Sequence, residues 1–155
     1  MKQNNKGYDL NRTDIPLTTR VVKIDIHNDN FVTVWLKGTI SIKPGQFIMV
    51  WLPGVEEKPF AVTFIEKDMF AFTAMKRGMF TNTLFALKEG DVVGYRGPYG
   101  NGFTLVENKK VCIVAGGIGM AALSLLYHTL KQNNDQITLI YGAKTCSDLI
   151  FKQNV

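Results

Sequence analysis

Three groups of residues in this chain have the types and spacing to hold a phosphorylated ligand. The first is Lys58-Pro59, inside the stretch Lys43 to Phe64, KPGQFIMVWLPGVEEKPFAVTF. Proline has no backbone N–H, so a strand that starts with this pair must do so at an edge or an interruption of its sheet. A ligand can reach backbone groups at such a gap, and the Lys58 cation stands beside it. The second group runs Lys76-Arg77-Gly78-Met79-Phe80-Thr81-Asn82. Thr81 or Asn82 can cap a short helix with an apolar face of Leu84, Phe85 and Leu87, ended by Gly90. A helix start preceded by Lys76, Arg77 and Gly78 turns free N–H groups, the positive dipole end and two cations to one side, which makes an anion site. The same residues also fit a one-turn helix that only plugs the end of a barrel. The third group is the turn Gly116-Gly117-Ile118-Gly119 between an apolar run and a helical segment, where phosphates can approach backbone N–H groups. It falls short of the full GxGxxG pattern, because Ala122 occupies the third glycine position.

The elements that position these groups follow from periodicity. Thr18 to His27 alternates, with Arg20, Val22, Ile24 and Ile26 against Val21, Lys23, Asp25 and His27, as a half-buried strand does. Asn28-Asp29-Asn30 turns the chain into a second strand, Phe31 to Leu36. Pro44-Gly45 opens a hairpin of Gln46 to Leu52 and Phe60 to Ile65, joined at Pro53-Gly54. Met69 to Met75 and Asp91 to Tyr95 are further β-like runs, so about six strands fall within about 80 residues, the density of a small antiparallel barrel. Gly97 to Phe103 is dense in turn formers and reads as a tight surface loop. From Lys110 the period changes. Val111 to Ala115 is an apolar run containing Cys112, expected to be a small buried hydrophobe. Met120 to Lys131 is helical, with Leu123, Leu126, Tyr127 and Leu130 on one face, and Gln136 to Tyr141 is a second buried strand. That is a βαβ unit. The expected organisation is a flexible tail over 1–14, an all-β Greek-key barrel over 15–105, and a partial α/β nucleotide-binding unit over 106–155.

Bulk properties narrow the function. A chain of 155 residues buries about 70% of its unfolded surface, and 46% hydrophobic with 20% charged residues is an ordinary globular composition. The net charge of +5 is spread along the chain without a basic cluster interleaved with aromatics, which argues for anionic small molecules or acidic partners and against nucleic acid. No apolar run is long enough to span a bilayer and the first fourteen residues are polar, so the expected compartment is reducing and cytoplasmic. Two cysteines without a CxxC pair cannot ligate an iron–sulfur cluster on this chain. His27 and His128 are the only histidines and no acidic pair lies at ligand spacing, so no metal site is expected. Ser124 and His128, four apart on one helix, lack a carboxylate to orient them and read as incidental.

Taken together, these segments resemble the ferredoxin-NADP reductase superfamily, and most of all the electron-transfer subunit of dihydroorotate dehydrogenase. The likeness runs from Thr18 to Phe151 through five segments in the right order. It includes the PGQF strand and the turn Gly54-Val55-Glu56-Glu57-Lys58-Pro59. The resemblance implies that Lys58, Pro59, Phe60 and Ala61 take the positions of an Arg-x-Tyr/Phe-Ser segment that lies along the flavin. There the basic residue meets the pyrophosphate and the hydroxyl faces the isoalloxazine. Lys58 keeps the charge without the guanidinium fork, and Ala61 has no hydroxyl. Thr63, on the same strand face by alternation, is expected to substitute. Gly78, Thr81 and Asn82, with Lys76 beside them, match the family's hold on the flavin diphosphate. Gly97-Pro98-Tyr99-Gly100 resembles the stretch that closes the flavin barrel, with Tyr99 placed to shield a flavin ring or an adenine. Gly116, Gly117 and Gly119 match the pyridine-nucleotide turn, with Ala122 where the family usually has proline. Tyr141-Gly142-Ala143-Lys144 matches its Y-G-A-R/K segment, which would set Lys144 near the ribose or its phosphate.

The family's nucleotide domain continues for several more parallel strands, so the resemblance implies a C-terminally shortened relative or a fragment. The implied function is FAD-dependent electron transfer, with FAD rather than FMN, between NAD(P)H and a catalytic partner such as a dihydroorotate dehydrogenase of pyrimidine biosynthesis. The alternative is a nucleotide-binding, regulatory or assembly module without turnover. Two parallel strands and one helix leave an apolar face uncovered, so a second copy of the chain is the expected cover.

Overall fold

The structure, a computed structural model, describes residues 16–133 and 136–152. The tail expected over Met1 to Asp14 lies outside the described residues. Six antiparallel strands come first: β1 (Leu17–Asn28), β2 (Phe31–Lys37), β3 (Phe47–Leu52), β4 (Glu56–Ile65), β5 (Met69–Met75) and β6 (Val92–Tyr99). They close into a barrel in the order β1-β2-β5-β4-β3-β6, which is a Greek-key arrangement. Helix α1 (Met79–Ala86) lies between β5 and β6. A parallel pair, β7 (Lys110–Gly116) and β8 (Gln136–Gly142), follows with α2 (Gly119–Gln132) joining them.

The barrel interior is filled from every strand by residues with little or no exposure, among them Val21, Val34, Leu36, Ile48, Val50, Val62, Phe70, Phe72 and Val93. Phe80 and Leu84 of α1 complete this core from one end. α1 is therefore a plug, as the blander reading of its sequence has it, while its first turn remains available to a ligand. Its start lies earlier than the expected cap. Gly78 is the N-cap, and Thr81 sits one turn inside, where its Oγ1 accepts the N–H of Arg77 at 2.8 Å and of Gly78 at 3.1 Å. A hydroxyl reaching back over the N-cap organises the turn from within the helix.

Other details depart from simple alternation. β1 has a register shift between Val21 and Lys23, so Val21 and Ile24, which strict alternation would put on opposite faces, both turn to the barrel core. A bulge reassigns which face each later residue takes. β4 begins at Glu56, with Pro59 inside it opposite Met49 of β3. The ladder from β4 to β5 starts only at Val62, so the missing N–H of Pro59 lies where β4 has one neighbour. β6 runs on through Tyr99 and absorbs the first residues of the expected loop. Close approach requires glycine at Gly94, where a Cβ would collide with the Trp51 ring.

α2 bridges the two units. Met120, Ala121 and Leu130 are buried, and the helix packs on β4 of the barrel as well as on β7 and β8. Phe64, from the end of β4, enters this second core, stacked on Trp35 and edge-on to Phe151. α2 covers one face of the parallel pair, where Ile113 and Ala115 are buried. Cys112, expected to be buried, is exposed because it points to the other face with Val114 and Ile140.

Candidate functional site

A cavity of about 610 Å³ lies between the outside of the barrel, the start of α1 and the start of α2. Lys58, Pro59, Phe60 and Ala61 of β4 form one wall, and Gly78 to Thr81 form another. The lysine-proline strand and the helix start, twenty residues apart in the chain, thus face one space. In α1 the first i to i−4 bond runs from Asn82 N–H to Gly78 C=O, so the N–H groups of Met79, Phe80 and Thr81 have no acceptor within the helix. Arg77 adds a second cation to that of Lys58. Glu56 also lines the cavity, and its carboxylate holds the Lys58 ammonium at 2.8 Å. An anion entering here competes with Glu56 for Lys58.

A neighbouring cavity of about 660 Å³ is lined by Gly116, Gly117 and Lys144, and by Lys76 and Arg77. Space stands open over Gly116, Gly117 and Gly119, where an added Cβ would meet nothing within 4 Å. Met75, Arg77 and Ile118 line both cavities, so the two spaces adjoin. Lys76 therefore belongs with the glycine turn and not with the β4 cavity, and its ammonium lies 5.1 Å from the centre of the Phe85 ring.

The remaining expected residues are placed elsewhere. Thr63 does not line the cavity that Ala61 lines. The β4 register slips between Val62 and Phe64, and Thr63 lines a third cavity of about 710 Å³ with Thr33, Trp35, His27 and His128. Its buried Oγ1 has no hydrogen-bond partner among the described residues. Tyr99 packs on Phe47 and under Arg96, away from all three cavities. Asn82 and Gly119 line none of them either. Ser124, fully engaged by donating to the Met120 carbonyl, has no link to His128.

Arg77, read from the sequence as one of two cations at the helix start, lines both cavities, whereas one residue of the β4 cavity was not singled out by spacing. Thr73 carries no local signal, since its strand reads simply as β. The ladder pairs Val62 with Phe72, so Thr73 follows Phe72 as Ala61 precedes Val62, and both line the cavity. Thr73 thereby brings a hydroxyl to the neighbourhood where Ala61 has none.

No family model matches the chain. Among curated proteins it is 40% identical over 136 residues to the probable dihydroorotate dehydrogenase B (NAD(+)), electron transfer subunit, of Methanocaldococcus jannaschii, covering 88% of this chain and 51% of that protein. The corresponding protein of Pyrococcus abyssi is 50% identical over 107 residues, 68% of this chain and 40% of its own length. The chain thus spans about half the length of the curated relatives it matches. A solved structure of an NADH-dependent reduced ferredoxin-NADP oxidoreductase, described for flavin-based electron bifurcation, superposes with a TM-score of 0.77 at 28% identity, over 84% of this chain and 50% of that one. A ferredoxin NADP+ reductase from Neisseria gonorrhoeae with bound FAD and NADP superposes at 0.74, over 90% and 62% of the two chains, and at 18% identity shares the fold alone. Fold and sequence together place the chain in the ferredoxin-NADP reductase superfamily. Within it, the chain is a relative of the electron transfer subunits of dihydroorotate dehydrogenase B.

Proposed function

We propose that the chain binds FAD in the β4 cavity and takes part in electron transfer between NAD(P)H and a partner protein. The observation that supports this most is the meeting of Lys58 and the open N–H groups of α1 in one cavity that adjoins the glycine turn. The residues fit a diphosphate: two cations, Lys58 and Arg77, and three backbone donors at a positive helix end. FAD held here would supply hydride acceptance and one-electron transfer, while this chain's residues would bind, orient and tune it. Lys58 and the first turn of α1 would hold the phosphates, while Ala61, Phe60 and Thr73 would border the ring system. Gly116, Gly117, Lys76 and Lys144 would receive the pyridine nucleotide next door. The electron acceptor would be a dihydroorotate dehydrogenase catalytic subunit, as the names of the relatives suggest.

Absorbance after reconstitution tests the reading. A flavin spectrum that survives gel filtration supports it, with Lys58→Ala weakening FAD by about tenfold, the loss of one charge-assisted contact. A colourless protein without affinity for FAD overturns it. The carboxylate of Glu56 and the bare Ala61 favour a second reading, nucleotide binding without turnover. Titration with pyridine nucleotide in the absence of flavin would show tight binding on that reading. We further propose that the open face of β7 and β8 is covered by another polypeptide, most simply a second copy.

A further inference from the structure

Three side chains cross the outside of the barrel in an unbroken line. The hydroxyl of Thr73, a residue on the wall of the β4 cavity, lies 2.8 Å from the Thr33 hydroxyl. The Thr33 hydroxyl lies 2.8 Å from Nε2 of His27. Both threonines are buried, with 5% and 1% exposure, and His27 lines the third cavity on the far side. Hydroxyls donate and accept at once, so each can receive a proton as it passes its own on. The line is assembled by register: Thr33 is paired with Thr73 across β2 and β5, and its other neighbour across the ladder is Asp25 of β1, two residues before His27.

From this geometry we propose that Thr73, Thr33 and His27 form a proton path between the β4 cavity and the third cavity. The inference rests on the flavin reading for the identity of the group that exchanges the proton. In the outward direction, a group in the β4 cavity gives a proton to Thr73 Oγ1, Thr73 gives its own to Thr33, and Thr33 gives its own to His27 Nε2. Both hydroxyls end with one proton each, His27 gains one, and no electrons move. His27 then releases the proton on Nδ1 to the third cavity; the line resets when the hydroxyls rotate and His27 returns to the tautomer with its proton on Nδ1, by losing the Nε2 proton and regaining one on Nδ1 from the third cavity. The inward direction is the reverse. Hydride chemistry on a flavin changes its proton count, and Thr73 brings a hydroxyl to the wall of that cavity beside Ala61.

The surroundings suit His27 to a transient role. Burial lowers its proton affinity, Lys23 on the same strand lowers it further, and Asp25 opposes both. Across the cavity stand Glu66, just after β4, and His128 on α2, whose proton affinity is lowered by burial and by Lys131. A neutral imidazole that accepts a proton and returns it readily is what a relay needs. Thr33 and Thr73 are positioning and relay residues here, and neither is needed to hold phosphate.

The test uses Thr33→Val, which keeps the shape and removes the central hydroxyl, Thr33→Ser, which restores it, and His27→Phe, which removes the terminus. In protein without flavin, proton NMR is expected to show slowly exchanging hydroxyl protons on Thr33 and Thr73, and the Thr73 signal is expected to be lost to exchange in Thr33→Val. In FAD-loaded protein, the solvent-isotope-sensitive phase of flavin reduction by NADH is expected to slow by about a hundredfold in Thr33→Val and His27→Phe, and to recover in Thr33→Ser. Equal rates in the valine and serine variants, or hydroxyl protons in free exchange with water in the unaltered chain, overturn the path. Failure of the protein to take up FAD overturns the flavin reading, and the hydroxyl protons then judge the path by themselves.

Discussion

The barrel closes on itself, while among the described residues the parallel pair beside it is covered on one face only. In the barrel every strand has two neighbours and the inward residues are excluded from water. In β7 and β8 burial alternates strictly, and Val114 and Ile140 stay 67% and 55% exposed on the open face. The difference is physical rather than compositional, since both regions are built from the same apolar residue types. A closed sheet satisfies its edges and its interior within one unit, whereas a parallel pair needs layers on both sides and further strands at its edges. The ligand-facing turns sit where these two regions meet.

The largest expected effect separates them directly. Phe72→Ala empties a fully buried site and is expected to cost about 3–5 kcal/mol of unfolding free energy by denaturant titration. Ile140→Ser, on the open face, is expected to cost under about 0.5 kcal/mol in a monomer. If a second copy covers that face, the serine variant is expected instead to dissociate by light scattering and to lose stability with dilution. A small cost without dissociation, and no binding of hydrophobic dye to the unaltered chain, would break the idea of a covered face.

A smaller effect is expected where the regions join. Phe64 stacks on Trp35 at 5.7 Å and meets His128 and Phe151 at about 6 Å, so it ties β4 to α2 and to the C-terminal turn. Phe64→Ala is expected to cost about 2 kcal/mol and to loosen α2 and β8 ahead of the barrel. Hydrogen exchange would show protection lost in Met120 to Leu130 while Leu36 and Phe72 keep theirs. Uniform loss across both regions would mean that they unfold as one unit.

Much of this layout was legible before any coordinates. Alternation and turn residues placed all six barrel strands, and the change of period at Lys110 marked the parallel pair. Those signals are local, carried by residues two to four positions apart. The misplacements of Val21, Thr63 and Cys112 are matters of register or layering. The bulge after Val21 brought Val21 to the inward face of Ile24, and the slip after Val62 left Thr63 lining a different cavity from Ala61. Cys112 looked buried because an apolar run does not reveal that one face of its sheet lacks a second layer. The approach of Thr73 to Ala61 depends on how β4 and β5 pair, which no spacing within either strand encodes. Lys58 and the helix start were legible because each carries its own chemistry. That they share a cavity is a property of barrel closure.

The smallest effect concerns pH, and it probes the junction from the side of its histidines. His27 on the barrel and His128 on α2 both bind a proton less readily in the folded chain than their ordinary value of 6.5 implies, mainly because of burial. As pH falls below 6.5, the unfolded chain takes up these protons first, so the folded state loses ground until the lowered folded values are passed. The stability contributed is complete above 6.5 and is lost on acidification. Glu57, held below its ordinary 4.5 by the Arg96 hydrogen bonds, acts in the same direction in a lower window, so the two effects separate on the pH axis. Melting temperature is expected to fall between about pH 7 and about pH 5. His128→Phe keeps an aromatic ring against Phe64 and is expected to make that slope shallower. Retention of the full slope in both His128→Phe and His27→Phe would place the titration elsewhere, and the junction would then be held by packing alone.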